Sequence, residues 1–155
     1  MPQASTTEDV RTSQPLTTED RLGIFDLFAR YAWAYDGGDA QAYAETFTTD
    51  GVLADEKDLR AVGRPAIAEA IRTFFAMRDP DVWQHHNDHL RIQGDGTQCT
   101  VYSYWAVLAH RRSDDGFGVF GLGWYVSRCR KVDGEWLFAE RTFYVDMPKG
   151  LPWRR

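Results

Sequence analysis

A chain of 155 residues has the length of one domain, and at this size about 70% of the unfolded surface can be buried, enough for a core with an internal cavity. Hydrophobic residues make up 43% and aromatic ones 14%, which excludes disorder for the body of the chain. A net charge of -5, with no segment concentrating Lys and Arg, leaves no electrostatic footprint for nucleic acid or an anionic membrane, and neither is expected as a partner.

Met1 to Leu16 is polar and rich in Thr, Ser, Gln and Pro, and is read as a flexible N-terminal tail before a single domain over 17–147. Thr17 or Thr18, followed by Glu19 and Asp20, caps a first helix to about Tyr35, whose Ile24, Leu27, Phe28, Tyr31 and Tyr35 share one face. Gly37-Gly38 stops it, and Asp39 caps a short second helix with Ala42, Tyr43 and Phe47 inward. Thr48-Thr49-Asp50-Gly51 reads as a turn into a short strand over 52–54. Arg64-Pro65 opens a third helix with Ile67, Ile71, Phe74 and Phe75 as its apolar stripe, and Asp79-Pro80 ends it.

Beyond Pro80 the periodicity becomes alternating, divided by Gly94-Asp95-Gly96, Asp114-Asp115-Gly116 and Asp133-Gly134. These signals predict a four-strand antiparallel meander over 83–93, 97–111, 117–132 and 135–145. A fifteen-residue strand laid flat would extend roughly 50 Å, so the sheet must curl, and Gly118, Gly121 and Gly123 supply places for bulges. The fold class is α+β, with helices covering one face of a curved antiparallel sheet. Its other face, rich in Trp and Tyr, would be a large apolar patch in a monomer, so self-association through the sheet is expected. The segment 148–155 is a proline-containing extension, expected over a pocket mouth or a neighbouring subunit.

All four histidines fall in the strand half: His85, His86, His89 and His110. A carboxylate beside an imidazole holds it in one tautomer and stabilises its charged form, which makes a general base. Asp36, at the end of the first helix's apolar face, is the natural partner, although a solvated Asp36 in a helix-terminal turn fits the same residue types. Tyr31 and Tyr35 read equally as core aromatics or as hydrogen-bond donors, and Phe28, Trp83, Tyr102, Tyr104 and Tyr125 as pocket wall. Alternation places His85 and His89 on one face and His86 and Asp88 on the other, so a metal would need ligands from elsewhere and none is expected. Cys99 and Cys129 lack ligand spacing and read as buried free thiols, which fits a cytoplasmic protein.

The order Tyr31-x-x-x-Tyr35-Asp36-Gly37-Gly38-Asp39, Phe47-Thr48-x-Asp50-Gly51, Gly63-Arg64-x-x-Ile67, His85-x-x-x-His89, Gly94-Asp95 and Asp133-Gly134-x-Trp136 resembles the SnoaL-like branch of the nuclear transport factor 2-like superfamily. The resemblance implies a cystatin-like cone of curved sheet closed by helices around a deep pocket, and a homodimer or homotrimer formed through the sheet. Its members include scytalone dehydratase, bile-acid 7α-dehydratase, lindane dehydrochlorinase and polyketide cyclases, most of them free of cofactors. It implies that Asp36 and His85 form the catalytic dyad, with His86 the competitor if the strand shifts by one residue. It further implies hydrogen bonding by Tyr35 or Tyr31 and by His110, while the third long strand offers Tyr125 where scytalone dehydratase has an Asn. The implied activity is a cofactor-free lyase or isomerase on a hydrophobic cyclic or aromatic small molecule. The alternatives are a polyketide cyclase, a non-catalytic ligand-binding protein, or a small structural subunit of an aromatic-ring hydroxylating dioxygenase.

Overall fold

In the computed structural model, which describes residues 14–154, helix α1 spans Thr18–Asp36. Thr17 is its N-cap: the Asp20 N–H donates to the Thr17 hydroxyl at 3.1 Å, and the Thr17 N–H donates back to the Asp20 carboxylate at 3.0 Å. Asp20 is itself buried, receiving Lys131 Nζ at 2.7 Å and the Trp136 indole N–H at 3.1 Å. These bonds, the one from Lys131 first, hold its carboxyl well below the usual carboxylate range. They tie the start of the helix to the far end of the sheet.

Helix α2 (Ala40–Glu45) follows its Asp39 cap, and α3 (Arg64–Arg78) begins at Arg64-Pro65 as the proline signal requires. Gly38 separates α1 from α2 with φ +75°, and a Cβ there would run into the Phe75 ring of α3. Only glycine meets both demands, so the helices close on each other at the end of α1.

Six strands form one sheet in the order β2-β1-β6-β5-β4-β3. They are β1 (Phe47–Asp55), β2 (Arg60–Val62), β3 (Val82–Gly94), β4 (Gln98–Arg111), β5 (Gly116–Val132) and β6 (Glu135–Val145). The meander β3 to β6 has the expected limits to within about two residues. Three features differ from expectation. Strand β1 runs parallel to β6, so the sheet is mixed, and its short partner β2 has no counterpart in the sequence reading. Thr48 to Gly51 lies inside β1 as an irregularity in register, where the turn was expected.

Further register shifts occur at Asp88/Arg91, Val107/Leu108 and Arg128/Cys129, and together they curl the sheet. The glycines of β5 have a second use: a Cβ on Gly123 would lie 2.7 Å from the Trp105 indole nitrogen. Trp105 is thereby seated across the strand, its indole N–H donating to the Tyr144 carbonyl at 3.0 Å. On the concave side the core runs from Ile24, Leu27 and Phe28 through Tyr43, Phe47 and Ile71 to Val101 and Phe138. Cys99 and Cys129 face each other across β4 and β5 as buried free thiols.

The N-terminal expectation falls largely on residues 1 to 13, outside the described residues. Residues 14 to 16 do not behave as a tail: Gly96 N–H donates to the Gln14 carbonyl at 2.8 Å, Pro15 bridges to Asp95, and Leu16 packs on the core. The C-terminal extension ends in a short turn, Pro152–Arg154, laid against the convex face of the sheet, where Trp153 meets Tyr102 at 5.9 Å and Arg91 at 5.4 Å. It does not cover the inner cavity.

Candidate active site

The last two turns of α1 deliver Tyr31, Tyr35 and Asp36 to the concave face, where β3 presents Trp83 and His85. His85 Nδ1 lies 2.6 Å from Asp36 Oδ1, and the His85 backbone N–H donates to the other carboxylate oxygen at 2.8 Å. An ionised carboxylate only accepts, so Nδ1 carries a proton, and in the neutral imidazole the lone pair is then on Nε2. Both side chains are largely enclosed, 8% exposed for His85 and 19% for Asp36. On the far side, Arg78 Nη2 donates to the Asp36 main-chain carbonyl at 2.7 Å, while its guanidinium lies 3.9 Å from the centre of the Phe75 ring. Asp36 is fixed from three directions.

Above the dyad is an inner cavity of about 130 Å³ whose wall includes Tyr31, Tyr35, Trp83, His85, Trp105 and Tyr125. Trp83 and His85 also line a broad open groove of about 880 Å³ beside the end of α1. Tyr35 stands edge-on to the His85 ring at 4.3 Å, and burial raises its phenol above the ordinary value. The Tyr31 and Tyr125 hydroxyls are 2.7 Å apart, and burial likewise pushes Tyr125 and Tyr43 well up. These phenols stay protonated near neutral pH and can serve as hydrogen-bond donors.

Strand alternation sends His86 the other way, to Gln84 at 3.2 Å, so His85 is the inward histidine. The bulge after Asp88 removes His89 from the His85 face: with φ +56° it turns to Tyr104 on the convex side, against the expectation of a shared face. Tyr102 and Tyr104 were expected in the pocket wall, but they alternate with buried Val101 and Ser103 and with inward Trp105, and so lie on the convex face. His110 shares that parity. It lines the outer groove together with Asp36 and His85, and there pairs with Asp115 at 2.7 Å and stacks on Phe117 at 4.1 Å. Phe28 is core, beneath the cavity and not on its wall.

The residue that sequence reasoning missed is Arg141. It is fully buried on β6, with its guanidinium carbon 3.7 Å from the Tyr125 ring centre, 4.1 Å from Tyr31, 4.6 Å from Phe138 and 4.7 Å from Phe28. It donates to Ser127 Oγ at 2.8 Å and Asn87 Oδ1 at 3.0 Å. The available signal was parity: Arg141 and Phe143 share a face opposite Glu140 and Thr142, so the register that buries Phe143 also buries a cation.

A curved sheet packed against three helices around an aromatic-lined cavity defines a cone of the cystatin-like class. The chain belongs to the SnoaL-like domain family, whose pattern matches residues 16–142. No curated protein matches the sequence. Among solved structures, a protein from Catenulispora acidiphila in complex with S-DNPA is 28% identical, with a TM-score of 0.75 over 84% of this chain and 96% of that one. A nuclear transport factor 2-like protein with a cystatin-like fold from Novosphingobium aromaticivorans is 26% identical, with a TM-score of 0.71 over 87% and 86%. ActVI-ORFA from Streptomyces coelicolor, 23% identical over 83% of this chain and 98% of that one with a TM-score of 0.75, shares the fold. Among the described residues, no helix is long and apolar enough to cross a membrane.

Proposed function

We propose that this protein is a cofactor-free lyase or isomerase that abstracts a proton from a hydrophobic cyclic or aromatic oxygenated small molecule. The supporting observation is the 2.6 Å contact between His85 Nδ1 and Asp36, which leaves Nε2 basic at the wall of an aromatic cavity. His85 Nε2 takes a proton from a carbon next to a carbonyl, and Asp36 stabilises the imidazolium that results. The phenols of Tyr35, Tyr31 and Tyr125 donate to the oxygen on which charge develops. The imidazolium then returns its proton either to a departing hydroxyl, which leaves as water, or to a second carbon, which moves the double bond.

The volumes bear on substrate size. About 130 Å³ accommodates roughly one ring, less than the space that drug-sized ligands occupy, so a fused-ring substrate would extend past Trp83 into the outer groove. The small molecule bound by the Catenulispora protein supports reading the cone as a ligand site. The test is hydrogen–deuterium exchange, followed by NMR, at the α-carbon of a panel of cyclic β-hydroxy ketones. Asp36→Asn should lower the exchange rate about 10³-fold or more with the fold intact. A variant that exchanges at the wild-type rate would remove the dyad from the reaction.

A further inference from the structure

Arg141 is a permanent cation with which no carboxylate pairs among the described residues. Each element packed against it contributes only neutral groups: Phe28 and Tyr31 from α1, Tyr43 from α2, Asn87 from β3, Tyr125, Ser127 and Cys129 from β5, and Phe138 from its own strand. Its Nε has no hydrogen-bond partner among the described residues. A buried charge ordinarily has a counter-ion, because desolvating it alone is costly. Asp36, which holds the cavity-lining His85, is engaged by that histidine and by Arg78 through its main chain.

Arg141 does not reach the cavity itself. Between it and the open space stand the rings of Tyr31 and Tyr125, both of which line the cavity and touch the guanidinium. Their hydroxyls, 2.7 Å apart, share one hydrogen between them, which leaves the second hydrogen free for a ligand oxygen. A donor pair backed by an uncompensated cation favours a negatively charged acceptor over a neutral one.

We infer that the cavity binds its ligand as an oxyanion, an ionised phenol, seated on the Tyr31–Tyr125 hydroxyl pair with Arg141 as the counter-charge. The ligand's acidic proton goes to solvent on binding. This deepens the proposed function by naming the substrate class of the same cavity, but it concerns binding and does not require turnover.

The probe is 4-nitrophenol, which absorbs visible light only as the phenolate, titrated against pH with and without the full-length protein. Bound to the wild type, its apparent pKa should fall by about one unit or more, a tenfold preference for the anion. Tyr31→Phe with Tyr125→Phe keeps both rings around Arg141 and should abolish the shift; Arg141→Met should do the same if it folds. Asp36→Asn should retain the shift, which separates this inference from the proposed reaction. An unshifted or raised pKa, a shift that survives the double Tyr variant, a shift lost only in Asp36→Asn, or no binding up to the probe's solubility limit would overturn it.

Discussion

Arg78 separates what holds the site together from what holds the fold together. Replacing it with Met removes the hydrogen bond from Nη2 to the Asp36 carbonyl, made at 2.7 Å, and the stacking on Phe75. A bond from a charged donor contributes about 1.5 to 3 kcal/mol and a desolvated cation–π contact about 2 kcal/mol. Against this, Nε and Nη1 are buried without partners, each at a cost of about 1 to 3 kcal/mol that Met does not incur. Met also refills most of the apolar volume. The two sides nearly cancel, so Arg78→Met should change stability by about 1 kcal/mol or less, a shift of about 2 to 4 °C in Tm. Activity should respond differently, because Asp36 sits on the last residue of α1 and its main chain is then free to fray. A displacement of about 1 Å can cost 10²-fold in rate. The paired measurement is a thermal melt and the α-proton exchange rate on the same sample. Exchange within twofold of wild type would show that the His85 contacts alone hold Asp36, and would refute the positioning role. A loss of 10 °C or more would refute the cancellation.

Asp20→Asn tests the anchor at the other end of α1. The folded pKa of Asp20 is depressed, so its contribution is full above the unfolded carboxylate value near 4 and is lost as pH falls through the folded value. Denaturant titrations should show the variant weaker by about 1 to 2 kcal/mol at pH 7, with the gap closing as pH drops below about 4; a gap independent of pH would refute the assignment. The convex face tests assembly: Tyr104, Leu108 and Leu122 are 40 to 47% exposed beside the stacked Trp124–Tyr144 pair. Light scattering should report a dimer or trimer at micromolar concentration, converted to monomer by Leu122→Glu, and a monomeric wild type would refute self-association through this face.

Asp36 and the strand histidines are marked locally, and the resemblance to the SnoaL-like pattern is what singles out His85 as the partner. The carboxylate ends an amphipathic helix at a double glycine, and the histidine enters a strand whose alternation is regular through Asp88. Regularity then fails. The bulge between Asp88 and Arg91 adds a residue that no composition signal announces, and it turns His89 outward. Tyr102, Tyr104 and His110 were grouped correctly on one face, but parity alone does not say which face is concave. That was decided by Gly121 and Gly123, which leave room for Trp105 and so turn the other set of β4 inward. The parallel pairing of β1 with β6 is likewise set by closure of the cone and not by either strand's own residues.

Arg141 was hidden for a different reason. A hydrophobicity pattern treats a cation as a surface residue, so an inward Arg breaks the alternation and looks like noise. Burial is possible because four aromatic rings, an amide and a hydroxyl replace its water, and those six residues come from α1, β3, β5 and β6. No window of sequence contains that environment. The members of the dyad are marked by two local patterns, whereas the electrostatic character of the cavity it serves exists only once four elements have met.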